Sequence, residues 1–73
     1  MKLYFQRSNG ERRFMQMCST EKEAMQAIHK FLEEHNFKSY YTRYWVENNE
    51  LWYDVGSHTE FFILTDLIRA EDN

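Results

Sequence analysis

Residues 20–35 read TEKEAMQAIHKFLEEH, a stretch with every mark of an amphipathic helix. Thr20 followed three residues later by Glu23 is a capping box, in which each side chain satisfies an amide that the first turn leaves unpaired. Ala24, Ala27, Ile28, Phe31 and Leu32 recur at three- and four-residue intervals and make one apolar stripe. Glu21, Lys22, Gln26, Lys30, Glu33 and Glu34 cover most of the other side. Asn36 suits a left-handed position just past the helix, and Phe37 after it can pack back on the last turn. A single helix cannot bury its own stripe, so the flanking segments must supply a surface, and both read as strands.

Residues 2–18, KLYFQRSNGERRFMQMC, hold Asn9-Gly10, the favoured pair for a two-residue type I′ hairpin loop. Counting outward from that loop sets Ser8 opposite Glu11, Arg7 opposite Arg12, Phe5 opposite Phe14 and Leu3 opposite Gln16. One face then carries Leu3, Phe5, Phe14 and Cys18 toward the helix. The other carries Tyr4, Gln6, Arg13, Met15 and Met17.

After the helix, Tyr40 to Val46 is rich in strand formers, Glu47-Asn48-Asn49-Glu50 supplies a turn, and Leu51 to Val55 returns. A loop centred on Asn48-Asn49 pairs Val46 with Leu51, Trp45 with Trp52, Tyr44 with Tyr53 and Arg43 with Asp54. A three- or four-residue loop is the alternative. Gly56-Ser57 breaks the ladder, and Thr59 to Leu64 resumes it with Phe61 and Ile63 on one side, Phe62 and Leu64 on the other. The tail from Thr65 is expected to form one capped helical turn. The order is ββαβββ: an α+β fold, one antiparallel sheet with the helix across one face.

The chain has 73 residues, enough for one small domain, residues 1–73. A chain of this size buries roughly 60% of its unfolded surface, so its hydrophobic margin is thin. Cys18 has no second cysteine with which to form an intramolecular disulfide, as suits a reducing cytoplasm. Six Phe, five Tyr and two Trp supply the core and leave aromatic surface over. Nine Lys and Arg against twelve Asp and Glu give a charge of −3, which argues against a non-specific nucleic-acid binder. There is no apolar run of membrane-crossing length, and the start lacks the apolar core of a signal peptide. A cytoplasmic location with no membrane association is the expectation.

Chemistry is thinly represented. Asp54, Ser57 and His58 lie close in sequence, but adjacent Ser57 and His58 in a turn do not place a base between nucleophile and carboxylate. A solvated polar turn is the better reading. Cys18, His29, His35 and His58 offer no paired metal-ligand spacing, and His29 and His35 fall on opposed helix faces. The expectation is a non-enzymatic protein with no catalytic residue, cofactor or metal.

Two surfaces remain. With Tyr40, Thr42, Tyr44, Val46, Leu51, Tyr53 and Val55 turned to the core, Tyr41, Arg43, Trp45, Trp52 and Asp54 share the outer face. Trp, Tyr and Arg are the residue types that anchor protein interfaces. If the faces are reversed, Tyr44 and Tyr53 lie outside instead. The second surface is Arg7, Arg12 and Arg13 around the first turn, a possible phosphate contact that makes nucleic-acid binding the alternative function.

At Tyr40-Tyr41-x-Arg43-x-Trp45 and at Asp54-Val55-Gly56-Ser57-His58-Thr59-Glu60-Phe61-Phe62, the chain resembles small proteins of bacteriophages and prophages of Gram-positive bacteria. The opening strand, the Asn9-Gly10 turn and the helix resemble theirs as well. The resemblance carries no activity and no functional residue across. It implies a phage setting, in which such a protein binds a host or phage protein; the aromatic face itself is expected to bind another protein or a second copy as a homodimer.

Overall fold

A computed structural model describes residues 1–38, 42–56 and 59–67. It contains β1 (Lys2–Gln6), β2 (Arg12–Met17), α1 (Glu21–Glu34), β3 (Arg43–Glu47), β4 (Glu50–Asp54) and β5 (Phe61–Thr65). The ββαβββ order and α+β class are those read from the sequence. The strands form one antiparallel sheet in the order β2-β1-β5-β4-β3. A hairpin and a three-stranded meander are thus joined by pairing β1 with β5. The helix links β2 at one edge to β3 at the other.

The helix is terminated as its sequence dictates. Thr20 Oγ1 accepts from the Glu23 amide at 3.1 Å, and the Glu23 carboxylate accepts from the Ser19 amide at 2.7 Å. At the far end Asn36 is left-handed, with φ 53°. The Phe37 amide donates to the Leu32 carbonyl and the Asn36 amide to the Glu33 carbonyl, at 2.9 and 3.1 Å. This is a Schellman closure, which satisfies carbonyls that the last turn leaves open. Ala24, Ile28 and Leu32 of the stripe are buried against Leu3, Leu51, Tyr53, Val55, Phe62 and Leu64. Each large apolar side chain so buried contributes roughly 1.5–3 kcal/mol.

The first hairpin corrects the sequence reading. Its loop has three residues, Ser8-Asn9-Gly10, because Gly10 alone is left-handed, at φ 89°. The Gly10 amide donates to the Arg7 carbonyl and the Arg7 amide to the Glu11 carbonyl, both at 2.8 Å. A turn of this kind followed by a left-handed glycine shifts the register by one. Phe5 therefore faces Arg13 and Tyr4 faces Phe14. The expected register returns at Leu3 and Gln16 because Met15 forms a bulge. Phe14 consequently lies on the outer face, 55% exposed, while Met15 packs against the core. Arg13 moves to the helix side. These are the reverse of the expected positions.

The second hairpin follows the expected two-residue loop and register. Asn48 and Asn49 are both left-handed, at φ 53° and 61°, and all four expected pairs form. Leu51, Tyr53 and Val55 take the core side. Tyr44 and Val46 share that side but remain 70% and 65% exposed, because β3 is an edge strand. Thr65 closes β5 instead of opening a helical turn, and Asp66 after it is left-handed at φ 54°. The rest of the expected turn lies outside the described residues.

Candidate protein-binding face

The registers of the five strands place Phe14, Tyr4, Ile63, Trp52 and Trp45 in one transverse row across the outer face. Period-two alternation puts them there: each is two residues from the next outward position on its strand. Trp45 and Trp52 stack with ring centres 6.1 Å apart. Phe61 meets both edge-on, at 6.0 and 5.6 Å, and Tyr4 meets Phe14 edge-on at 5.7 Å. Ile63, in the middle of the row, is fully buried. The aromatics therefore form a packed layer that shields the sheet, with the two tryptophans half-buried and Phe14 more open.

Charged groups frame this layer. Arg12 donates to both oxygens of Glu50, at 2.9 and 3.1 Å, and its Nε donates to Gln6. The same guanidinium lies 5.6 Å from the Trp52 ring centre, within cation–π range. The hydrogen bond from Arg12 holds the Glu50 carboxyl below its usual range, and burial opposes it more weakly. Arg43 donates to Asp54 at 2.9 Å, and the Gly56 amide donates to the other oxygen of Asp54. Asp54 is buried, so this pair orders the end of β4 as much as it decorates the surface. Trp45 Nε1 donates to Glu47 at 3.2 Å.

Of the expected interface residues, Arg43, Trp45, Trp52 and Asp54 share the outer face. Tyr41 lies outside the described residues, as do Ser57 and His58 of the expected polar turn. Sequence reasoning missed Tyr4, Phe14 and Phe61 as members of the same layer. Tyr4 was expected on the face away from the helix and Phe61 on a side not assigned to core or surface, and the neighbours of both in the row depend on strand order.

The basic trio is split by the sheet. Arg12 lies on the outer face, paired with Glu50, whereas Arg7 and Arg13 border an open groove of about 590 Å³ on the helix side. Arg7 is itself 3.8 Å from Glu11. Phe5, Phe31, Phe62 and His35 line the same groove, and His35 stacks 4.1 Å from Phe31.

The chain matches no protein-family model, no curated protein and no solved structure. The row of aromatics must therefore be interpreted from its own chemistry. Among the described residues there is no cluster of three His, Cys, Asp or Glu side chains. No helix among them is long and apolar enough to cross a membrane.

Proposed function

We propose that this domain is a non-enzymatic phage or prophage accessory protein that binds a host or phage protein through the outer face of its sheet. The observation that carries the proposal is the transverse row of Phe14, Tyr4, Trp52 and Trp45, with no described helix or strand laid over it. A rigid aromatic layer gives an interface large contact area at little entropic cost. Arg12–Glu50 and Arg43–Asp54 at its margins would fix the orientation of a partner. The phage setting is supported by the sequence resemblance alone.

The alternative, nucleic-acid binding through Arg7, Arg12 and Arg13, has less support, because the trio does not form one patch. The test is capture from lysate of phage-infected cells by wild type, Phe14→Ala and Trp45→Ala, each checked for wild-type circular dichroism. A partner retained by wild type should bind each variant at least about ten-fold more weakly, as for an interface anchor. Equal retention by all three folded proteins would remove the outer face from the account.

A further inference from the structure

The two edges of the sheet are differently protected. β2 carries Arg12 and Arg13 and is bent by the bulge at Met15, devices that discourage pairing with another strand. β3, Arg43-Tyr44-Trp45-Val46-Glu47, has no lysine, proline or bulge, and its pairing with β4 is regular throughout. Its helix-side residues Tyr44 and Val46 are the most exposed large apolar side chains described.

The type I′ turn determines which backbone groups β3 offers on the side that no described strand pairs. In such a hairpin Glu47 and Glu50 are the hydrogen-bonded pair that closes the loop. Alternation then directs the N–H and C=O of Glu47, Trp45 and Arg43 toward β4, and those of Val46 and Tyr44 away from it. An antiparallel strand laid on this edge must bring its own outward groups opposite Tyr44 and Val46.

We propose that the occupant is a second copy of this chain, paired β3 to β3 about a two-fold axis at Trp45. The strand is complementary to itself when reversed. Tyr44 meets Val46 of the partner subunit in hydrogen-bonded register, and Arg43 meets the partner's Glu47. Trp45 meets the partner's Trp45 on the outer face. A slip of two residues preserves the hydrogen-bond pattern but sets Arg43 opposite the partner's Trp45 and loses the ion pairs. Charge thus selects one register among those the backbone allows. Arg43 is bonded to Asp54, yet its side chain is 65% exposed and a guanidinium carries five N–H donors. The pairing makes one continuous sheet from two copies and brings the two aromatic rows end to end. It stands on the β3 edge and does not depend on the outer face having another partner.

The experiment is solution mass over a concentration series for the full chain, with amide exchange of Tyr44 and Val46 followed in parallel. Wild type is expected to dimerise, with these two amides protected as dimer forms. Val46→Pro removes an outward N–H that β4 does not use, and Val46→Lys adds a charge to the edge. Both are expected to weaken the dimer at least ten-fold while circular dichroism stays unchanged. Glu47→Lys, which sets lysine against the partner's Arg43, should weaken it as well, and an unchanged dimer there overturns the register. Phe14→Ala should leave the mass unchanged. A wild-type monomer at every concentration overturns the proposal. So does a dimer whose Tyr44 and Val46 amides exchange freely, or one that Phe14→Ala abolishes and both Val46 variants retain.

Discussion

Tyr53 shows how much a single buried group can disclose. It is 2% exposed, on the core side of β4, and its ring lies 6.4 Å from that of Tyr44. Burial pushes its phenol up to about 12, with the charge of Glu21 a smaller contribution. A phenol raised in the folded state remains neutral there after the unfolded chain has begun to ionise. Its contribution to stability is therefore intact below about pH 10 and is lost as pH rises toward about 12, a difference of about 2 kcal/mol. Urea unfolding of wild type and Tyr53→Phe at neutral and alkaline pH measures this directly. The wild type should lose more stability than the variant above about pH 10. Parallel curves would mean that the phenolate reaches water without unfolding.

At the scale of elements, the two hairpins differ in how their turns use asparagine. In the second, Asn48 and Asn49 both occupy left-handed conformations, which asparagine tolerates and glycine prefers. Asn49→Gly should stabilise the domain by about 0.5–1 kcal/mol, raising the melting temperature by a few degrees. A lower melting temperature in a differential scan would show that the Asn49 side chain is itself worth more than the backbone strain. The same comparison explains what the sequence disclosed. The helix was legible because caps and stripe agree, and the second hairpin because four cross-strand pairs agree with one loop. In the first hairpin Asn9-Gly10 suits both a two-residue loop and a three-residue loop with one left-handed glycine. Local sequence does not decide between them. The choice exchanged the faces of Phe14 and Met15, and with them a member of the candidate site. The exposure of Tyr44 and Val46 was hidden for another reason: an apolar alternation reports a face, not whether the helix extends far enough to cover it. Strand order, which assembles the aromatic row, rests on pairing between β1 and β5 at opposite ends of the described chain.

At the scale of the molecule, the hairpin and the meander are joined through β1 and β5, and Arg12 adds a second tie between them across the outer face. It reaches from β2 to Glu50 of β4, with both side chains partly exposed. A bidentate pair in such a setting contributes about 1 kcal/mol, more than a freely solvated one and less than a buried one. A double-mutant cycle of Arg12→Ala and Glu50→Gln should recover a coupling of that size at neutral pH. The Arg12 hydrogen bond lowers the folded-state value of the Glu50 carboxyl, so the contribution is present above the ordinary carboxylate range. It is lost as pH falls through the folded value, and in acid below that value the coupling should approach zero. The guanidinium also lies against Trp52, and that contact does not require a charged Glu50. That contact therefore cancels from the coupling, and a coupling that persisted in acid would assign the tie to a hydrogen bond between Arg12 and a neutral Glu50, little changed by added salt. A coupling that vanished in acid and shrank with salt would assign it to the ion pair.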